Sequence, residues 1–382
     1  MNNKQLTIIT FVLTLGLFFL SGCNAFEETD FYVAPTTSTS STTTTSTTIT
    51  PTTSTTTTTG PTLYDINFNE AGTRGLACGT DGTVLLTTDS GATWSLLDMP
   101  SSAAGETFYK CYYNNDDGAS VMGTNGLTLG VGPAGDVTNV DAWTTTKVFP
   151  EGTDATLYYA DSVGTSDLIV GSGGTILYSG DYVTYAAVTI ETSVDLYNFS
   201  VEEDEVLVVG QGGTILYSAA NPGQAESWIT TIESGTTADL YKVEISEDED
   251  EPSLVFGANG TYLLAYGAPF NWAPAAVVGI PNDMTIYGSG GSDNIDFFAG
   301  SGGTLFYTTD NINYSSAESR TTEDLRGATD IEDDETEEVT ATFIVGGNMT
   351  MLHATFEGTT VHWQKSTNGG QTWTDSWVLT AD

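Results

Sequence analysis

The sequence predicts an all-β fold, a seven-bladed β-propeller of four-stranded antiparallel blades, behind a signal peptide and a disordered Thr/Ser linker. Three observations carry this. A Thr/Asp–apolar–Tyr opener recurs at Leu63-Tyr64, Phe108-Tyr109, Leu157-Tyr158, Leu196-Tyr197, Leu240-Tyr241, Ile286-Tyr287 and, degenerate, Leu325-Arg326. A glycine turn, Gly-x-x-Gly-Thr-apolar-apolar in its full form, follows each opener, starting at Gly79, Gly123, Gly171, Gly210, Gly257, Gly300 and Gly346. Successive openers stand 45, 49, 39, 44, 46 and 39 residues apart, and a period of about 40–50 residues with strand-like content is that of one four-stranded blade.

Residues 1–22 read as a lipoprotein signal peptide. Lys4 gives a thin positive start and Leu6 to Leu20 an apolar run, which falls short of the roughly 20 residues of a spanning helix. Leu20-Ser21-Gly22-Cys23 resembles a bacterial lipobox. That resemblance implies lipidation at Cys23 and a mature chain working in the cell envelope, lipid-anchored. With Asn24 after the cysteine, the outer membrane or cell surface is expected, with the periplasmic side as the alternative.

Residues 23–60 form the lipidated N-terminus and stalk. From Thr36 to Thr59 the chain is almost wholly Thr and Ser, with Ile49 and Pro51 the exceptions. Such a stretch has no apolar face to offset the entropy of ordering, so a flexible tether is expected. Stretched at ~3.3 Å per residue it reaches on the order of 80 Å. Residues 61–382 then form the propeller, enough chain for one ring with a substantial core.

Blade 4 displays the plan most clearly. Asp195 to Val201 alternates apolar and polar as an inner strand, and Glu205 to Gly210 is nearly continuous apolar, as for a strand covered on both faces. Gln211-Gly212-Gly213 supplies the tight turn, Thr214 to Ser218 the third strand, and Ser227 to Thr230 the outer one. An outer-strand aromatic recurs as Trp94, Trp143, Tyr185, Trp228, Trp272, Tyr314 and Trp363, and packing against the neighbouring blade is its expected role. In blade 7 the chain runs past Trp363 to Asp382, either as a long loop before the fourth strand or as an added strand.

Charge is the other strong signal. The chain carries 50 acidic residues against 8 basic ones, a formal charge of −42, which excludes nucleic acid and anionic headgroups as partners. Three runs, Glu202-Glu203-Asp204-Glu205, Glu247 to Glu251 (with Asp248 and Asp250) and Glu332 to Glu338 (with Asp333 and Asp334), hold 15 of the acids. All fall between the first and second strands of their blades, where blade 2 has Asn114 to Gly118. Equivalent loops leave a propeller on one face, so an acidic rim is expected, read either as a salt-adapted surface or as a docking surface. No run has the glycine and distant Glu of an EF-hand loop. No cofactor is expected, and calcium would bind weakly. Besides Cys23 the cysteines are Cys78 and Cys111. Both sit where other repeats are apolar, as buried thiols would, and a disulfide between blades stays open.

Thr87, Asp89, Gly91, Thr93 and Trp94 resemble the Asp box of sialidase-like propellers, and Ser366, Asn368, Gly370, Thr372 and Trp373 make a second box with Asn in the Asp position. Degenerate forms occur at Asp181 to Tyr185 and Asp310 to Tyr314. With its glycine turn, the repeat resembles the photosystem II stability/assembly-factor-like propeller family across residues 62–382. The resemblance implies that the box is a structural turn, with Asp89 accepting backbone N–H groups and Trp94 packed beneath. Sialidases of this fold hold a substrate carboxylate with three arginines from separate blades. Arg74, Arg320 and Arg326 are the only arginines here and none sits in such a motif.

No catalytic residue is predicted. His353 and His362 in blade 7 lack a third metal ligand at suitable spacing, and Gly171 to Gly174 joins two strands, without the helix N-terminus of a phosphate-binding loop. The expectation is a monomeric, non-catalytic binding or assembly module for a protein or glycan partner. A polysaccharide-active or carbohydrate-binding propeller is the alternative.

Overall fold

The computed structural model describes residues 59–381 except Asp116, Thr146, Val148, 247–251, 267–271, 275–280, Asp293, 311–312, 334–335 and Glu337. Cys23, the stalk up to Thr58, the acidic run 247–251 and Asp334 lie outside the described residues.

Seven sheets follow one another along the chain, each a meander of sequential strands. Blade 1 comprises Leu63–Phe68, Gly75–Gly79, Val84–Thr87 and Ser95–Leu96; blade 3 Leu157–Val163, Ser166–Gly171, Ile176–Ser179 and Ala186–Ala187. Blade 4 comprises Leu196–Glu202, Glu205–Gly210, Ile215–Ser218 and Trp228–Ile229; blade 5 Leu240–Glu244, Ser253–Gly257, Tyr262–Ala265 and Ala273–Pro274. Blade 6 comprises Ile286–Ser292, Ile295–Gly300, Leu305–Thr308 and Ser315–Ala317. The fold is thus the seven-bladed propeller that the repeats predict.

Two blades depart from the four-strand plan. Among the described residues blade 2 has three strands, Phe108–Tyr113, Ala119–Gly123 and Thr128–Val131, and a single Gly130–Thr144 bridge in place of the fourth. Blade 7 has five: Leu325–Glu332, Val339–Gly346, Met351–Glu357, Thr360–Ser366 and Asp375–Thr380. Trp363 lies on the fourth, so residues 375–380 are the added strand.

The glycine turns are built by close approach. A Cβ on the first glycine of any turn would fall 1.8–2.3 Å from the carbonyl oxygen of the residue preceding the opener, Thr62 for Gly79 and Asp195 for Gly210. That carbonyl accepts the next N–H, as in Thr80 N to Thr62 O at 2.9 Å and Gln211 N to Asp195 O at 2.8 Å. Only glycine lets the second strand end this close to the first.

Between blades the core is aromatic and aliphatic. The seven outer aromatics are all buried, each against the preceding blade: Trp228 with Leu168 and Val170, Trp272 with Leu207 and Val209, Trp363 with Phe297. For blade 1 the preceding blade is blade 7. Trp94 meets Phe343 edge-on at 6.3 Å and closes the ring, without any exchange of strands. The Thr87–Trp94 turn faces its counterpart 366–373 across this seam. Trp373 Nε1 donates to Ala92 O at 3.1 Å, and Gly370 lies under the Trp94 ring, which leaves no room for a Cβ. Gly60 N donates to Asn348 Oδ1 at 2.6 Å and Met349 N to Pro61 O at 2.8 Å, pinning the chain's entry to blade 7.

Candidate functional site

A bulge near the start of every inner strand sets two residues against one on its neighbour, at Leu63/Asp65, Leu196/Asn198, Leu325/Gly327 and their four counterparts. Bulges redirect side chains, and the residue displaced here is the opener tyrosine. The tyrosines meet in sequence: Tyr64–Tyr109 at 4.8 Å between ring centroids, Tyr109–Tyr158 at 5.3, Tyr158–Tyr197 at 5.6, Tyr197–Tyr241 at 5.2 and Tyr241–Tyr287 at 5.7 Å. Arg326 completes the circle, its guanidinium 4.9 Å from the Tyr287 centroid and 5.5 Å from that of Tyr64. Six phenols and one guanidinium thus form a closed belt around the axis, at the glycine-turn end.

The belt is anchored by the residues that precede it. Asp195 accepts Gly173 N at 2.9 Å, Asp239 accepts Gly212 N at 2.8 Å, and Asp324 accepts Gly302 N at 2.8 Å, each clipping one blade to the turn of the blade before. Asp324 also pairs with Arg326 Nη2 at 2.6 Å. Nε and Nη1 of Arg326 make no hydrogen bond among the described residues; the tyrosine rings are their neighbours, as cation–π contact allows. Burial raises the phenol pKa of Tyr64, Tyr109, Tyr197, Tyr241 and Tyr287, so all five stay neutral at pH 7. Aromatics converge on the axis, while the nearby aspartates hold backbone.

The acidic rim and the inter-blade loops lie on opposite faces. Glu202 and Glu205 pair across the hairpin that ends blade 4's first two strands, with Glu203 and Asp204 exposed at its tip. Glu332, Asp333 and Glu338 are exposed in the equivalent slot of blade 7. Blade 2's slot is partly neutralised, because Arg74 pairs with Asp117 at 2.5 Å. The loops 98–105, 149–154 and 281–283 leave at the other end, beside the glycine turns, and are largely exposed.

In the Thr87–Trp94 turn, Asp89 accepts Thr93 N at 2.8 Å and Thr93 Oγ1 at 2.6 Å, while Thr87 Oγ1 accepts Gly91 N at 2.9 Å. Slight burial would raise the Asp89 pKa, but the Thr93 and Thr87 hydrogen bonds outweigh it and lower the value. The 366–373 turn repeats the geometry: Asn368 Oδ1 accepts Thr372 N at 3.0 Å and Ser366 Oγ accepts Gly370 N at 2.9 Å. Amides of Thr184 and Val183 hold Asp181 at a pKa of about 2.

Two features had no clear signal in the sequence. Lys110 is fully buried, 3.8 Å from an equally buried Asp65. Blade 7's added strand makes an open cleft of about 390 Å³ lined by His353, Thr355, His362, Trp363, Gln364, Ser376, Trp377 and Val378. His353 stacks on Phe343 at 4.3 Å, and burial lowers its pKa, so it is neutral at pH 7. His362 is half-exposed and lies 3.8 Å from Glu357. Both histidines line this cleft, and among the described residues neither joins a metal-ligand cluster.

No family model matches the chain, and no curated protein matches it either. Solved structures do. YCF48 bound to D1 peptide aligns at a TM-score of 0.62 and 16% identity, over 78% of this chain and 93% of that one. YCF48 from Cyanidioschyzon merolae gives 0.57 and 16%, over 76% and 94%. The WD40 propeller domain of Doa1 gives 0.57 and 12%, over 75% and 90%. At such identities the likeness is one of fold.

Proposed function

We propose that this chain is a non-catalytic binding or assembly module of the cell envelope, anchored through a lipid on Cys23, and that it docks a basic protein partner on its acidic face. The observation that carries the reading is the exposed tips of the blade 4 and blade 7 hairpins, Glu203, Asp204, Glu332 and Asp333, on one face of the ring. A surface of one sign attracts the opposite sign and speeds encounter, and salt weakens both effects. Peptide binding by a neighbour in fold, YCF48 with D1 peptide, supports a protein partner. The polar axis residues favour structure over chemistry, since Asp195, Asp239 and Asp324 each hold a backbone N–H.

The test is capture from envelope extract with the full chain as bait, at low and high salt. A discrete protein retained at low salt, released at high salt, and lost with E203Q/D204N/E332Q/D333N is the expected result. Capture unaffected by those four changes would remove the acidic face from the account. A second reading, glycan binding, is favoured by the blade 7 cleft, where Trp377 lies beside His362, Gln364 and Ser376. Recovery of glycan alone would support it.

A further inference from the structure

Two thiols and a carboxylate coincide at the junction of blades 1 and 2. The position of Asp65 varies from blade to blade, being Lys110, Tyr159, Asn198, Lys242, Gly288 and Gly327 in blades 2 to 7, and only blade 1 places a carboxylate there. Cys78, its direct cross-strand partner, stands where blades 3 and 4 have Val170 and Val209. Cys111 stands where blades 4 and 5 have Phe199 and Val243. All three side chains are fully buried, and one carboxylate oxygen and the two sulfurs lie within 4.8 Å of one another. Among the described residues this is the one such cluster. Cys111 N donates to Asp65 Oδ2 at 2.7 Å, which fixes the carboxylate beside the sulfurs.

We propose that Asp65, Cys78 and Cys111 form a closed structural site for a divalent ion of the zinc class, tying blade 1 to blade 2. Two sulfurs and a carboxylate oxygen suit such a borderline-soft ion. Sulfurs bound to one tetrahedral ion stand ~3.8 Å apart, so the cluster needs to close by about 1 Å or less. The carbonyl oxygens of Leu76, 3.5 Å from Cys111 Sγ, and Phe108, 3.7 Å from Cys78 Sγ, are at hand for a fourth position.

Charge balance supports the assignment. The buried Lys110 ammonium lies 3.8 Å from Asp65 and over the rings of Tyr112 and Tyr159, at 4.6 and 4.9 Å, so this pair is neutral before any ion arrives. On binding, two S–H bonds break, two metal–sulfur bonds form, and both protons leave to water. The site is neutral before and after, which a fully buried position requires. No oxidant or reductant takes part. A disulfide is the competing fate of the two thiols; it would need the sulfurs at ~2.0 Å.

The test uses the full chain with Cys23→Ser, so that Cys78 and Cys111 are the only thiols. The reduced, chelator-treated protein is titrated with Co²⁺ and then Zn²⁺. The expected result is one equivalent of cobalt with near-ultraviolet thiolate charge-transfer absorption and four-coordinate visible bands. Equimolar zinc should bleach both and raise the melting temperature. Asp65→Asn, which keeps an acceptor for Cys111 N, should weaken binding ~10–100-fold while retaining the charge-transfer band; Cys78→Ser should abolish it. Two free thiols with no cobalt band would overturn the proposal. So would a chain that, denatured without reductant, has no free thiol. Both readouts are taken on the Cys23→Ser chain itself, so a poorly folding Cys78 variant leaves the test intact.

Discussion

At the residue scale, the turns separate two demands on glycine. Gly212 has φ +67 with open space where a Cβ would stand, whereas Gly213 has φ +80 and would place its Cβ 2.1 Å from Thr236 O. Gly212→Ala is therefore expected to cost only the left-handed strain, about 1 kcal/mol. Gly213→Ala adds a clash with backbone and should cost about 2–4 kcal/mol by urea denaturation. Equal losses would contradict this account of the turn. Met349, with φ +58, takes the place of that glycine in blade 7, where the chain's own entry segment lies ahead of the turn.

At the element scale, strands of adjacent blades are joined by buried polar contacts as well as by aromatics. Asp330 on blade 7's inner strand accepts Gly291 N of blade 6 at 3.2 Å. Burial pushes its pKa up to about 7, against the hydrogen bonds from Thr342 and Gly291. A carboxyl raised in the folded state favours folding fully below about pH 4. That contribution fades as pH rises towards 7. Asp330→Asn should flatten the pH 4–7 slope of melting temperature and gain ~2–4 °C at pH 8; an unchanged slope would count against it. Strand order was legible because openers and glycine turns repeat. The belt was not. Seven openers gave its members, but bulge geometry makes them converge, and Arg326, read as a degenerate opener, completes it. The reduced fourth strand of blade 2 also escaped the pattern: among the described residues Trp143 keeps its core position while the backbone beside it makes a single bridge.

At the scale of the whole molecule, the ring is closed and strongly charged. The acidic hairpins share one face, and their mutual repulsion opposes the compact state. Na⁺ at moderate concentration should raise the melting temperature, and Ca²⁺ should do so at lower concentration by screening and weak binding. Indifference to both ions would remove self-repulsion from the stability account. The rim was legible as three runs in one slot of the repeat. Its separation from the inter-blade loops follows from the meander of each blade, which sends alternate connections to opposite ends.

Site-specific photo-crosslinking in the intact envelope, with the probe at Glu203 or at Gln211, decides which face of the ring docks the partner. These residues flank the two ends of one strand in blade 4 and are both exposed, Glu203 on the acidic face and Gln211 on the glycine-turn face. A discrete protein adduct from Glu203, reduced by salt, and none from Gln211 is the expected result. Adducts from Gln211 alone would contradict it and place the partner on the face of the tyrosine belt.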